Sequence, residues 1–263
     1  MIPVGDFLRR YSTPYVNWTL IALNIAVFVY MLTLDTAPNQ LLGGARISQA
    51  DLFLLDWGFI PACLGQYVGA HPDAPARELA LLCPTGDREL IQPFTSMFVH
   101  GGFAHIAGNM LFLWIFGDNV EDRMGHLRYL IFYLLCGIAA VAAQTFMALD
   151  TTVPAVGASG AIAGVLGAYL MLHPAASVQV VILPLFFLPF FVPAALLIGI
   201  WFLMQLLSGV AEIGTTTVGS GVAWWAHVGG FIAGAILIWV FKKPPRRRYL
   251  PTRYEEFLGR RDL

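Results

Sequence analysis

Two residues that together can form a hydrolytic site lie far apart in the sequence, each at the start of a helix rich in small residues. Ser159 lies in the run GASG at 157–160, and His227 opens a second such run further on. A serine hydroxyl becomes a nucleophile when a neighbouring histidine takes its proton. Each residue alone is commonly a packing or hydrogen-bonding residue between helices. Their occurrence together predicts a nucleophile and its general base.

A further group of polar side chains lies upstream, in the run HGGFAHIAGN at 100–109. His105 and Asn109 are four residues apart, so they share one face of a helix. Both can donate hydrogen bonds to an oxyanion, and removing one such donor typically costs about 10²–10³ in rate. His100 lies about a turn further out, where capping or fixing of a loop is the commoner role. A metal site from His100, His105 and His227 is the alternative, although no H-E-x-x-H run is present.

Glycines at helical spacing predict close packing of the two helices that begin near Ser159 and His227. Gly157 can supply an unusual turn before Ser159, where free N–H groups at a helix start favour the negative charge of an oxyanion. His227 shares a helical face with the glycines that follow it, so close packing would bring imidazole and hydroxyl together. Because no Asp or Glu lies in the apolar runs to orient His227, a dyad is favoured over a triad. The spaced glycines are Gly160, Gly164, Gly167, Gly230 and Gly234.

The composition is typical of a membrane protein. Of the 263 residues, 58% are hydrophobic and 12% are charged, and the mean hydropathy is +0.70. Soluble domains carry roughly 25% charged residues. The formal net charge of −1 gives no reason to expect a nucleic-acid partner. The lipid bilayer is therefore the expected environment.

Six apolar runs are candidates for membrane-spanning helices, since roughly 20 residues cross the hydrocarbon core. The second and fourth are short, which would leave room for water above them. The stretch before the fifth begins near Ser177 and is interrupted by Pro184, Pro189 and Pro193, so an interfacial or kinked segment is expected there. All fifteen Lys and Arg and all sixteen Asp and Glu residues can be placed outside these runs. The candidate spans are 17–34, 103–117, 129–148, 158–172, 190–209 and 223–241.

The predicted fold class is an all-α polytopic membrane protein built as a six-transmembrane-helix bundle. The membrane domain would occupy 17–241, between an N-terminus at 1–16 and a basic tail at 242–263. Because Lys and Arg are enriched at both ends, both termini are predicted to be cytoplasmic. The run at 17–34 is interpreted as an uncleaved signal anchor. Since no organellar transit peptide is recognised, the expected location is the plasma (inner) membrane of a prokaryote.

The long loop at 35–92 is predicted to lie on the outer side of the membrane and is rich in acidic residues. Cys63 and Cys83 both fall in this loop, where an oxidising compartment would permit a disulfide. The sequence leaves open whether they form that bridge or remain two free thiols. Cys136 lies in the third span and is interpreted as a small packing residue. The basic tail is interpreted as a topology anchor, with contact to anionic lipid as the alternative.

Three motifs carry a resemblance to a known family: GASG at 157–160, HGGFAHIAGN at 100–109 and AHVGGFIAG at 226–234. In this order and on these spans, the chain resembles the rhomboid intramembrane serine proteases. The resemblance implies Ser159 as nucleophile and His227 as general base. It also implies an oxyanion hole and residues that support it. These are Asn109, His105, the Ser159 backbone N–H and Gly157, with His100, Gly160 and Gly230 in supporting positions.

The resemblance further implies what the protein acts on and how its parts are arranged. Substrates would be single-span transmembrane proteins, cut near the outer end of their helix, with no cofactor. Glu121 matches a structural E-x-x-x-G element after the second span. The fifth span is a candidate gate, with Trp201 and Phe202 facing lipid or the second span. Two positions depart from the family pattern: Ala163 stands where many relatives carry an aromatic residue against the histidine, and Ile91-Gln92 stands where some carry Trp-Arg.

Two other classes of protein remain as alternatives. A catalytically inactive rhomboid-like protein would bind membrane client proteins without cutting them, but such proteins usually lack the serine or the histidine. A proton-coupled transporter would be expected to carry acidic residues in its helices or an inverted repeat, and the sequence shows neither. The predicted function is therefore an intramembrane serine endopeptidase that acts through a Ser–His dyad and an acyl-enzyme.

Overall fold

The structure is a computed structural model, and it describes residues 2–42, 45–67, 83, 88–181, 190–213 and 221–244. These residues are mostly helical. Helices α1 to α4 are Tyr15–Met31, Gln49–Trp57, Pro61–Tyr67 and Arg88–Thr95. Helices α5 to α10 are Phe103–Phe112, Asp118–Met124, His126–Met147, Ser159–Leu172, Ala194–Glu212 and Trp224–Phe241. A 3₁₀ turn, Ser96–Phe98, follows α4, and a π-helical turn, Leu113–Gly117, joins α5 to α6.

Short strands make the all-α expectation wrong in detail. Strands β1, β4 and β5 are Ile2–Asp6, Ser177–Val181 and Phe190–Pro193, and they form an antiparallel sheet in the order β1-β4-β5. Strands β2 and β3, Gln40–Leu42 and Ala45–Ile47, form a separate hairpin. The side chains of Val178 and Val180 are fully buried on alternate positions of β4, a pattern that favours a strand over a helix.

The expected kinked segment before the fifth span is thus partly β-structure. Proline lacks the N–H that a helix interior requires, and Pro193 ends β5 directly before α9 begins. Pro184 and Pro189 lie outside the described residues, as does the tail from residue 245 onward.

By length and composition, three described helices could cross a membrane: His126–Met147, Ala194–Glu212 and Trp224–Phe241. The pair Leu90–Phe98 and Phe103–Met124 adds a fourth if it counts as one span, although it bends by 88°. Two further helices, Tyr15–Met31 and Ser159–Leu172, are apolar but shorter. The described residues therefore support three or four spans, and the six-span count is not confirmed.

Helices α7, α8 and α10 pack against one another, and α8 is the most deeply buried of the three. All of its residues from Gly160 to Tyr169 are buried. A Cβ atom added to Gly234 would lie 1.9 Å from the carbonyl oxygen of Gly164, and one added to Gly167 would lie 2.2 Å from that of Phe231. The backbones of α8 and α10 are therefore in direct contact, as the glycine spacing predicts.

The segment after the second predicted span is helical, and its acidic residue Glu121 has a structural partner. Glu121, in α6, is fully buried. Its carboxylate accepts hydrogen bonds from the backbone N–H groups of Val16, at 3.1 Å, and Asn17, at 2.7 Å. These N–H groups belong to the first turn of α1 and have no partner within that helix. Glu121 therefore caps α1, which gives the E-x-x-x-G element a physical role.

The loop between α1 and α4 is tied down at two places. The structure joins Cys63 and Cys83 in a disulfide, with their Cα atoms 5.5 Å apart, which decides between the two possibilities left open above. Gln92 is buried, and its amide donates to the carbonyl oxygens of Leu55, at 3.2 Å, and Asp56, at 3.4 Å. The residue that departs from the Trp-Arg pattern thus fixes α2 against α4.

Candidate active site

Ser159 begins helix α8 directly after a turn that only glycine adopts readily. Gly157 has a φ of +119°, and its N–H donates to the carbonyl oxygen of Ser96 at 2.8 Å. A Cβ atom at Gly157 would lie 2.6 Å from Nε2 of His105. The turn therefore excludes larger residues both by its backbone angle and by the approach of His105. It leaves Ser159 half-buried, with its backbone N–H in the unpaired first turn of the helix.

His227 reaches Ser159 from helix α10. Its Nε2 lies 2.8 Å from the Ser159 hydroxyl oxygen, and the imidazole is 9% exposed. The two helices meet just beyond this contact, because a Cβ atom at Gly230 would lie 2.0 Å from the carbonyl oxygen of Gly160. The glycines thus set the distance between the helices, and that distance lets a serine and a histidine from different helices form a hydrogen bond.

A third side chain, which the sequence reasoning missed, completes the surroundings of the imidazole. Gln205, in α9, is 7% exposed, and its Oε1 lies 2.7 Å from Nδ1 of His227. Its Nε2 donates to the carbonyl oxygen of Trp201 at 3.4 Å. A side-chain amide within an otherwise apolar helix is a signal for an interhelical hydrogen bond. That signal was present in the sequence.

Aromatic rings from α9 and α10 surround His227. The Trp201 ring lies 5.9 Å from the imidazole between centroids, and Phe202 stacks on Phe231 at 4.3 Å. Both side chains therefore contact α10 and remain partly exposed, because α9 packs against α10 along this edge. Trp224 contributes an edge contact at 6.3 Å. These rings occupy the neighbourhood of the imidazole, while Ala163 is buried within α8.

The polar residues of 100–109 gather around the turn before Ser159. The Asn109 side chain is 8% exposed, and its Nδ2 has no hydrogen-bond partner among the residues that the structure describes. Nδ2 lies 3.5 Å from the position a Gly157 Cβ would take. A buried amide donor without an acceptor is rare and calls for an explanation, such as a ligand that the site binds.

His100 and His105 support the same turn from either side. Their rings contact edge to face with centroids 5.1 Å apart. His100 is fully buried, and its Nε2 lies 3.5 Å from the backbone nitrogen of Ala158. Within the described ranges, no three His, Cys, Asp or Glu side chains lie close enough together to hold a metal ion, so His100, His105 and His227 do not form such a group.

An open cavity of about 530 Å³ lies at the same end of the bundle as the serine and histidine. It extends between the segment that leads to Gly157, represented by Ala155, and the segment that leads to His227, represented by Ala223. Gln144 of α7 also lines it and accepts a hydrogen bond from the Ala226 N–H at 3.2 Å. Space for solvent is therefore present beside the starts of α8 and α10.

Comparison with known proteins identifies relatives from several kinds of organism. Over 157 residues the chain is 29% identical to "Rhomboid protein 1, mitochondrial" of Saccharomyces cerevisiae, covering 56% of this chain and 41% of the relative. It is 28% identical over 158 residues to "Rhomboid-like protein 11, chloroplastic" of Arabidopsis thaliana, covering 57% and 52%. It is 44% identical over 77 residues to "Rhomboid protease GluP" of Bacillus subtilis, covering 29% and 14%.

These relatives correct the predicted location. The prediction of a prokaryotic plasma membrane is wrong, because the chain is similar to proteins named as mitochondrial and chloroplastic. The prediction relied on the lack of a recognisable transit peptide, which by itself is no evidence for a particular membrane. The chain also spans about half or less of the length of the curated relatives named above.

A family model described as "Rhomboid domain" matches residues 87–244. This region contains α4 to α10 and every residue of the candidate site. The match confirms the resemblance carried by the three motifs. The chain therefore belongs to the rhomboid family.

Proposed function

We propose that the chain is an intramembrane serine endopeptidase in which Ser159 is the nucleophile and His227 the general base. The observation that carries this proposal is the 2.8 Å contact between the Ser159 hydroxyl and Nε2 of a buried imidazole. A general base must lie within about 2.6–3.2 Å of the proton it removes. The Bacillus subtilis relative is named as a rhomboid protease, which supports the same activity.

In the proposed mechanism, His227 Nε2 takes the proton of Ser159 as the hydroxyl oxygen attacks the scissile carbonyl. The imidazolium then gives this proton to the leaving amine, and an acyl-enzyme on Ser159 remains. Water, deprotonated by the same nitrogen, attacks the ester and returns the free serine. The cavity between the segments before Gly157 and His227 lies at this end of the bundle, although neither Ser159 nor His227 lines it.

The oxyanion of each tetrahedral intermediate would be stabilised near the turn before Ser159. Asn109 Nδ2 is the strongest candidate donor, because it is buried and unpaired among the described atoms. His105 Nε2 lies against the same turn, and the Ser159 backbone N–H is one of the unpaired groups of the helix start. Donors held in place before reaction stabilise developing charge without reorganisation. Gly157 permits this arrangement because it has no side chain.

The site would lie below the membrane surface. Helix α8 has 14 residues and is about 21 Å long at 1.5 Å per residue, whereas the hydrocarbon core is about 30 Å thick. If its C-terminal end reaches one interface, Ser159 lies roughly 9 Å below the other. We place this site within a six-span membrane domain at 17–241. The proposed substrates are single-span transmembrane proteins. The cut would lie near the outer end of the substrate helix, at the depth of Ser159 below the membrane surface.

The test is cleavage of single-span substrate proteins by the full chain in proteoliposomes, with products mapped by mass spectrometry. Ser159→Ala and His227→Ala should each abolish cleavage, and thermal melting should show that both variants remain folded. Ser177→Ala is the matched serine control, because Ser177 is exposed and lies beyond the C-terminal end of α8, and it should cleave normally. Binding of substrates without cleavage by the unaltered chain would favour a catalytically inactive client-binding protein instead.

A further inference from the structure

Three side chains from three helices form one continuous hydrogen-bonded line. The Ser159 hydroxyl of α8 contacts Nε2 of His227 at 2.8 Å, and Nδ1 of the same ring contacts Oε1 of Gln205 at 2.7 Å. Both His227 and Gln205 are at least nine-tenths buried. The sequence favours a dyad because it has no carboxylate here. The structure shows that the second imidazole nitrogen is nevertheless occupied, by a neutral amide.

The surroundings of Gln205 fix which end of its amide faces the histidine. The carbonyl oxygen of Trp201 can only accept a hydrogen bond, so the amide nitrogen of Gln205 must be the group 3.4 Å away from it. The amide oxygen then faces Nδ1 of His227, and this oxygen can only accept. Nδ1 must therefore carry the ring proton.

The position of that proton decides whether His227 can act as a base. A neutral imidazole carries one proton, so a proton on Nδ1 leaves a lone pair on Nε2, which faces the Ser159 hydroxyl. With the other tautomer, Nε2 would donate to the serine and could not take its proton. The neighbouring rings of Trp201 and Trp224 cannot replace Gln205, because an indole offers a donor but no acceptor for Nδ1–H.

We propose that Gln205 is a positioning residue for the reaction: it holds His227 in the Nδ1–H tautomer and fixes the plane of the ring against Ser159. This inference rests on the proposed protease function. It makes α9 part of the catalytic apparatus, since the acceptor that orients the base comes from that helix. The role is filled by an amide, so no buried charge is required within the apolar helix.

The experiment compares Gln205→Met, Gln205→Glu and the control Met204→Ala in full-length protein. Met preserves the shape of Gln205 and removes its polar atoms. A glutamic acid that is protonated keeps the pattern, with its hydroxyl towards the Trp201 carbonyl and its carbonyl towards Nδ1. Met204, the neighbouring residue on α9, is 52% exposed. Activity is measured as kcat and KM on a cleaved transmembrane substrate, and folding as the melting temperature.

We expect Gln205→Met to lower kcat by about 10²-fold, the scale for a misplaced catalytic group, with KM unchanged. Gln205→Glu should restore most of the lost kcat, and Met204→Ala should behave as the unaltered protein. Wild-type kcat in a folded Gln205→Met protein would overturn the inference. Equal losses in the Met and Glu variants would also overturn it, because they would indicate packing alone.

A spectroscopic readout on the unaltered protein does not depend on how the variants fold. With ¹⁵N-labelled histidine, and the His227 signals assigned from their loss in His227→Ala, the nitrogen shifts report which ring nitrogen is protonated. Protonation at Nδ1 supports the inference, and protonation at Nε2 overturns it. Failure of the proposed protease function has a different signature, because the unaltered protein would then not cleave substrate at all.

Discussion

Replacing Gly234 with alanine perturbs the packing that brings the two reacting side chains together. The new Cβ atom would lie 1.9 Å from the Gly164 carbonyl oxygen, whereas ordinary contact begins near 3.4 Å. The neighbour is backbone, so it cannot rotate away, and the two helices would have to separate by about 1.5 Å at this point. Overpacking of this kind typically costs about 1–3 kcal/mol of stability, and sometimes more.

The same separation of the helices should also reach the two reacting side chains. His227 lies two turns before Gly234 on α10, and its contact with Ser159 is 2.8 Å. A shift of only about 0.5 Å would move the pair beyond the roughly 3.2 Å limit for proton transfer, and a 1 Å misplacement can cost about 10²-fold in rate. We therefore expect a folded but less stable Gly234→Ala protein, with kcat reduced by about 10²-fold.

The assay is substrate cleavage in proteoliposomes beside thermal melting, with Gly199→Ala as the matched control. Gly199 lies on α9, and no heavy atom of the described residues would come within 4 Å of its Cβ, its own helix and chain neighbours apart. That variant should keep full activity and melt at the same temperature or slightly higher, since alanine favours a helix by about 0.5–1 kcal/mol. Wild-type activity and melting in Gly234→Ala would refute backbone contact between α8 and α10.

Three other predictions concern residues at different places in the fold. Asn109→Ala should lower kcat by about 10²–10³ while leaving the melting temperature nearly unchanged, and an unchanged kcat would remove Asn109 from the oxyanion hole. Glu121→Ala should lower the free energy of unfolding by about 2–4 kcal/mol, because the first N–H groups of α1 lose a charged acceptor. The measurement is denaturant unfolding in detergent, with the exposed residue Ser177→Ala as the control. A loss no larger than that of the control would contradict the capping role. Burial raises the pKa of Asp6 in β1, despite hydrogen bonds from Tyr169 and Asn119. The folded state therefore favours the protonated carboxyl of Asp6. The contribution of Asp6 to the free energy of unfolding is greatest below the unfolded pKa of 3.8 and is lost as pH rises through the higher folded value. Melting followed from pH 3 upward should therefore show a decline that Asp6→Asn reduces, and an identical profile in that variant would contradict the assignment.

The sequence predicts the residues whose signal is local. Ser159 and His227 stand at helix starts, and the glycines after each share a helical face, so their proximity follows from helix geometry and close packing. The bounds of α8, predicted as 158–172 and observed as Ser159–Leu172, depend on the same local pattern. Whether these residues catalyse a reaction stays a prediction until it is measured.

Features that depend on distant partners could not be predicted. The second predicted span ended at 117, where acidic residues begin, but the chain stays helical in α6. Glu121 of α6 is buried there because it accepts hydrogen bonds from the first turn of α1. The prolines after Ser177 led to the prediction of a kinked segment. Strand β4 could not be predicted there, because its pairing partner, β1, lies more than 170 residues earlier, with Ile2 opposite Val181. Gln205 was visible as a polar residue in an apolar helix, but only the packing of α9 on α10 brings it to His227.

The most direct test of the central claim is labelling of the purified full-length protein with a fluorophosphonate probe, which reacts with activated serines and needs no knowledge of the substrate. The account predicts labelling of the unaltered protein at Ser159, mapped by mass spectrometry, and no labelling of Ser159→Ala or His227→Ala. Equal labelling of all three proteins would move the nucleophile elsewhere. Absence of labelling in the folded, unaltered protein would contradict an activated serine at position 159.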